Sequence, residues 1–427
     1  MKMKLRKITV ALLCASIIVG LTSCGPTSER ELIQEVVKNS DELVTISYSL
    51  WGGKTRTEYT EKAIERFETL NPGIHVNIKL NDYTGYGAMI DRTMADNSEA
   101  DVMQIQYSWL NRYSSDGRGF YDLYELKNII DLSQFTNIQI NYGTKDGKLN
   151  ALPNSLSTLV PVYDKKIFDK YDMAIPESIE DLEDSARLMK VDGVYPLVMD
   201  KEQTVSTLFT YNEQKSGNRC FNRSDKINIG KYEYDRMLIF YKRLIDYKVL
   251  CPAEDMSDDM LKDGRVAGIM TDVNGVDATE ARINGYGGEA YLGKIITAED
   301  AKLVGNYIKP DTMLAISNTT THPKEAAMLV DFLLNSPENA LLQQTEKGFP
   351  VSQKAEMTLM TEGMLNSTGY RAKLMMDYYS KDMDVISSRF DNGEYIDAFY
   401  DCLTRYANGD MSLDTASAEL ERLGNRY

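Results

Sequence analysis

Apolar residues Val44, Ile46, Tyr48 and Leu50 alternate with polar neighbours, the period of a strand with one face turned to a core. Trp51-Gly52-Gly53 breaks that pattern, and Tyr59, Ala63, Ile64, Phe67 and Leu70 then recur at helical intervals. Thr55 and Glu58 have capping-box spacing and predict the helix start, while Asn71-Pro72-Gly73 predicts its end. Ile74, Val76, Ile78 and Leu80 restore the alternation. A strand–helix–strand unit of this kind implies a parallel pair with a right-handed crossover. A helix near 87–94 and a short strand over 101–106 follow. Chains that alternate this way build α/β sheets covered by helices, and their ligands gather at the carboxyl ends of strands. Trp51-Gly52-Gly53 and Gln106-Tyr107-Ser108-Trp109 occupy two such ends.

The remainder of the chain is more helical. Residues 234–250 place Met237, Tyr241, Leu244 and Ile245 on one side, and 324–334 read as a buried helix after Pro323. Ser336-Pro337 opens another helix with proline at its first position, and Gly348 is its expected end. Two C-terminal helices are expected to divide at Asn408-Gly409. At the other end, Lys2, Lys4, Arg6 and Lys7 precede an uncharged apolar run over 8–21. That run is short for a membrane span and reads as a secretory signal. It closes in Leu21-Thr22-Ser23-Cys24-Gly25, which resembles the lipobox of bacterial lipoproteins. The resemblance implies a signal peptide over 1–23, Cys24 as the acylated new N-terminus, and a polar tether over 24–43.

The formal charge is −16, with four cations inside the segment expected to be cut away. So acidic a body disfavours nucleic acid and anionic membrane surfaces as partners. The 27 tyrosines suit polar ligands such as sugars, because each offers an apolar face and a hydrogen-bonding tip. Cys220, Cys251 and Cys402 remain for the folded part: an odd number without C-x-x-C spacing, which predicts neither a full disulfide framework nor a structural metal. A Cys220–Cys251 bridge stays open. His75 and His322 are the two histidines, and neither lies in a catalytic pattern. No H-E-x-x-H, P-loop, G-x-S-x-G or strand-to-helix G-x-G-x-x-G occurs, so no metal or cofactor is expected. Carboxylates are abundant, which leaves a glycosidase pair open by inventory.

The chain resembles the extracellular solute-binding proteins of ABC importers, specifically the large sugar-binding family 1 related to maltose-binding protein. Six patterns carry the likeness: the strand–Trp-Gly–helix–Phe-Glu-Thr-Leu-Asn-Pro-Gly–strand run over 44–80; Ala100-Asp101-Val102-Met103-Gln104 with Tyr107 and Trp109; Asn150-Ala151-Leu152-Pro153 followed by Val162-Tyr163-Asp164-Lys165-Lys166-Ile167-Phe168; Asp263-Gly264-Arg265-Val266-Ala267-Gly268-Ile269-Met270; Ala315-Ile316-Ser317 with His322-Pro323-Lys324-Glu325-Ala326-Ala327; and Glu346-Lys347-Gly348-Phe349-Pro350-Val351. Ile179 stands where many members have tryptophan, Asp164 where many have asparagine, and Gln106 where many have aspartate.

The resemblance implies an α/β, two-lobed, periplasmic-binding-protein-like fold with a ligand cleft between the lobes. The expected lobes are 44–152 plus 314–350 and 153–313 plus 351–427. The implied role is capture of a sugar or oligosaccharide and delivery to membrane permease subunits. The implied form is a lipid-anchored monomer on the extracytoplasmic face, without catalysis. Alternatives are a surface glycoside hydrolase, a ligand sensor, or the same transport role for a non-sugar solute. Position in this frame nominates Trp51, Tyr83, Gln106, Tyr107, Trp109, Asn154, Asp272, Asn274 and Tyr286 as ligand-binding residues. Aromatic faces would pack on sugar C–H faces, and the polar groups would hold hydroxyls.

Overall fold

A computed structural model describes residues 43–222 and 224–426. The signal-like segment, Cys24 and tether residues 24–42 lie outside the described residues. The strands in chain order are β1 (Val44–Trp51), β2 (Ile74–Asn81), β3 (Val102–Ile105), the short β4 (Thr144–Lys145) and β5 (Lys148–Leu149), β6 (Leu152–Ser157), β7 (Leu159–Asp164), β8 (Leu197–Val198), β9 (Leu250–Cys251), β10 (Gly268–Asp272), β11 (Ala290–Leu292), β12 (Tyr307–Ile316) and β13 (Asp384–Val385). They build two main sheets. The first has the order β13-β12-β3-β1-β2, with β6 also on β12; the second has the order β11-β7-β10-β8-β9. Helices cover both, giving the two-lobed α/β architecture.

β1 and β2 pair in parallel from Val44 opposite Ile74 to Trp51 opposite Asn81, and the helix Lys54–Leu70 forms the crossover. Tyr48 and Leu50 are buried on one face and Ser49 and Trp51 on the other, as expected of a parallel sheet covered on both sides. The helix begins differently from the Thr55–Glu58 expectation: Gly53 is its N-cap, and no side chain caps it. β1 runs to Trp51, and the Gly52 amide still bonds to Asn81 across the sheet, so the chain turns at Gly53 and Thr55 falls inside the first turn. The helix Pro337–Gln343 has proline in its first turn and Ser336 capping it, but it ends well before Gly348. Gln344 takes a φ of 49° and breaks it first. Gly348 (φ 85°) sits in the following turn, where a Cβ would lie 2.7 Å from that of Ser155 and 2.8 Å from Asn274 Cγ.

Two strands carry the chain between the sheets. β6 lies in the first sheet and β7 in the second, with Thr158 alone between them. β12 runs antiparallel to β6 and β3, and its register slips twice: Pro310 faces Leu156, Thr312 faces Ser155, and Met313 faces Pro153. Asp311 is therefore surplus on β12 and Asn154 surplus on β6, a pair of compensating bulges. Further along, the helix Gln353–Thr361 packs on Pro337–Gln343 through Ala340, Ala355 and Leu359. The helix Thr368–Tyr379 instead packs beside Val276–Gly285.

Cys220, Cys251 and Cys402 are buried and free. Cys220 receives a bond from Asn212 Nδ2 at 3.2 Å, while Cys251 sits in a separate cluster with Val198, Met260 and Val266, so the two do not pair.

Candidate functional site

The carboxyl end of β1 delivers Trp51 to a cleft between the two sheets. Trp51 is only 8% exposed and packs in an aromatic group, with ring centroids 5.0 Å from Tyr86, 5.9 Å from Tyr83 and 6.2 Å from Trp109. Tyr83 opens the helix Tyr83–Ala95 and is 63% exposed. Gln106, just past β3, donates through Nε2 to Tyr83 Oη at 2.9 Å. These three line one wall of an open cleft of about 370 Å³, within the usual range for ligand sites. The facing wall comes from the second sheet's side: Glu202 in the first turn of the helix Lys201–Ser216, and Phe390, Asp391 and Ile396 near the C-terminal helices.

Lys309 and Asp311, both from β12, form the floor. Lys309 Nζ reaches Glu202 Oε1 at 2.8 Å and Asp391 Oδ1 at 3.0 Å. Burial works against its charge, but Asp391 and Glu202 outweigh that and hold its pKa above the usual lysine range. Burial likewise pushes the Glu202 carboxyl up, and Lys309 partly offsets it. The β12 bulge turns Asp311 toward the floor. Burial, reinforced by the nearby Asp272 carboxylate, raises its pKa to about 7, against the opposing pull of Lys309 and the bond from Asn274.

Behind Lys309 and Asp311 lies a polar chamber of about 160 Å³ that shares Glu202, Lys309 and Asp311 with the cleft and also includes Thr158, Asp272 and Asn306. Asp272 accepts from the Gly275 amide at 2.9 Å and from Ser157 Oγ at 3.4 Å. Toward solvent, the cleft opens past Arg56, whose guanidinium donates to the carbonyls of Trp51 (3.3 Å) and Glu346 (3.2 Å).

The other nominated residues lie elsewhere. Tyr107 is 6% exposed beneath Lys145, and Trp109 stacks on Tyr86 at 5.7 Å and 20°, behind Trp51. Asn154, the bulge residue of β6, donates to the Lys347 carbonyl at 3.2 Å and returns its own carbonyl to the Val351 amide. Asn274 donates to the Leu156 carbonyl and to Asp311 while accepting from the Phe349 amide. One side chain thus ties three chain segments where the sheets meet. Tyr286 closes the helix Val276–Gly285, under Lys262, and lines neither the cleft nor the chamber; the helix reaches too far for it to sit on a free loop.

Arg56, Glu202, Lys309, Asp311 and Asp391 were not foreseen. A signal for two of them existed: Lys309 and Asp311 place charges within an otherwise apolar strand.

The pattern of the bacterial extracellular solute-binding protein family matches residues 62–362. The chain belongs to that family. Three solved structures are similar to it. A periplasmic solute-binding protein from Pectobacterium atrosepticum SCRI1043 is 26% identical, with 90% of this chain and 98% of that one covered and a TM-score of 0.82. A periplasmic oligogalacturonide-binding protein from Yersinia enterocolitica, in complex with saturated digalacturonic acid, is 26% identical, with the same coverage and a TM-score of 0.78. An evolved de novo designed esterase is 25% identical, with 90% and 98% covered and a TM-score of 0.83. This family member is the substrate-binding component of an ABC importer and works outside the cytoplasm. Among the described residues, no helix is long and apolar enough to cross a membrane.

Proposed function

We propose that this family member captures a saccharide in the cleft beside Trp51 and releases it, unaltered, to membrane permease subunits. The observation that carries the reading is the pairing of the Trp51–Tyr83 aromatic wall with the polar floor of β12. That is the combination a sugar needs: a flat face for C–H groups and hydrogen-bonding groups for hydroxyls. The digalacturonic acid held by the Yersinia protein supports the same class. Trp51, Tyr83, Gln106 and Asp272 are the nominated residues we retain as ligand contacts. We assign Asn154 and Asn274 to the hinge instead, with the lobes exchanging chain near residues 158, 306 and 362–367.

The test is a thermal-shift screen of the detergent-solubilised full chain against mono- and oligosaccharides, amino acids and peptides. A specific ligand at 100 times its dissociation constant adds about 2.7 kcal/mol of stability. A shift with one sugar class, weakened by Tyr83→Ala, supports the reading. A shift with another solute alone would replace the sugar, and turnover of the bound sugar would replace binding with hydrolysis. We further propose that the protein is a monomer anchored through acylated Cys24, on the strength of the signal pattern in 1–25. Palmitate labelling that persists in Cys24→Ser would refute the anchor.

A further inference from the structure

The charged groups around the cleft and the chamber behind it are unevenly matched. Asp200, Glu202, Asp272, Asp311 and Asp391 supply five carboxylates, and Arg56 and Lys309 supply two cations. Both cations are already engaged. Lys309 is held by Glu202 and Asp391, and Arg56 donates to two backbone carbonyls. Lys145 and Arg389 line a separate cavity, tied to Asn111 and Asp225.

A second observation is independent of charge. Thr158 Oγ1, Asn306 Oδ1 and Thr312 Oγ1 are buried without a hydrogen-bond partner. Their residues are 3%, 8% and 8% exposed, and they line the chamber or the cleft. Buried polar atoms are rarely left unpaired, and Asn306 Oδ1 can only accept. The two threonine hydroxyls can donate or accept, so it is Asn306 Oδ1 together with the neighbouring carboxyl groups that tilts these walls toward acceptors and calls for donors. Hydroxyl and ammonium groups donate, whereas a uronate carboxylate only accepts, and it would bring negative charge to the acidic side chains of Asp200, Glu202, Asp272 and Asp391.

We propose that the cleft takes saccharides without carboxylates, and prefers those bearing a basic amine over neutral ones. This rests on the saccharide reading above, and it parts company with the oligogalacturonide recognised by the Yersinia relative.

Calorimetric titration of the full chain with α-1,4-linked trimers of galacturonate, galactose and galactosamine, and with the corresponding glucuronate, glucose and glucosamine trimers, tests it. These probes hold ring geometry while changing charge. The expected result, in at least one series, is that the neutral trimer binds at least tenfold tighter than the uronate and the amino trimer at least threefold tighter than the neutral. Uronate binding equal to or tighter than neutral binding would overturn this proposal and leave the saccharide reading standing. An amino trimer no better than the neutral one would overturn the amine preference. Silence from all six trimers, with a thermal shift from a peptide or amino acid, would overturn both readings together.

Discussion

Asp311 owes its position to one surplus residue. Because β12 carries it as a bulge opposite Leu156 and Ser155, its carboxyl leaves the ladder and points to the cleft floor beside Asp272. The folded protein holds that proton more tightly than an unfolded chain, with a pKa of about 7 rather than the ordinary carboxylate value. The folded state then binds more protons, so stability falls as pH rises from the carboxylate range to about 7. Asp311→Asn abolishes this term. Its melting temperature should gain on the parent between about pH 5 and pH 7 and keep a constant lead above that. Lys347 provides the opposite slope. It is buried against the rings of Tyr48 and Tyr59, and burial, followed by repulsion from Arg56, lowers its pKa to about 7. The folded state now binds fewer protons than the unfolded one, so its contribution improves as pH climbs from about 7 toward the usual lysine range. Lys347→Met should therefore lead the parent most below pH 7 and lose that lead by about pH 10. Parallel gaps across pH for both variants would refute both assignments.

At the level of elements, Asn274 joins the turn after β10 to β6, to the β12 bulge and to the loop at Phe349. Removing the amide leaves three segments short of a partner, so Asn274→Ala should cost about 1–3 kcal/mol in chemical denaturation. A loss below about 0.5 kcal/mol would mean that the three bonds are dispensable. Asn274 also shows how far the sequence could be read. Alternation in 44–50 and 74–80 revealed β1 and β2, because a strand buries every second side chain whatever its neighbours do. The same reading reached Trp51, Tyr83 and Gln106, which follow strand ends directly. It reached Asn274 by position but not by role, since its partners lie at residues 156, 311 and 349. Glu202 and Asp391 were beyond it. One sits in a helix first turn and the other in a short 3₁₀ segment, both ordinary places for an acid, and only the docking of the second lobe brings them to Lys309.

At the scale of the whole molecule, the lobes also touch at a cavity separate from the Trp51 cleft. Asn111, from the helix Ser108–Ser114, donates to Asp225 Oδ2 at 3.0 Å, and Lys145 donates to Asn111 Oδ1 at 2.6 Å. Asp225 also accepts from the Ser388 amide at 2.9 Å, so it is held in place on its own lobe before it meets Asn111. A binding protein with two hinged lobes trades between open and closed forms, and ligand affinity scales with the fraction that is binding-competent. The Asn111–Asp225 bond exists only when the lobes are together. It therefore stabilises the closed form and leaves the open form unaffected, by about 1–3 kcal/mol for a bond to a charged acceptor. Asn111→Ala should leave the chain folded and the Trp51 wall unchanged, yet lower ligand affinity about five- to hundredfold through the closing equilibrium. Small-angle X-ray scattering of the ligand-free variant should give a larger radius of gyration than the parent, and saturating ligand should bring the two curves together. An unchanged radius with weakened binding would place Asn111 at the ligand itself. Unchanged affinity and radius would show that the lobes close without this bond, and that the hinge strands alone set the balance.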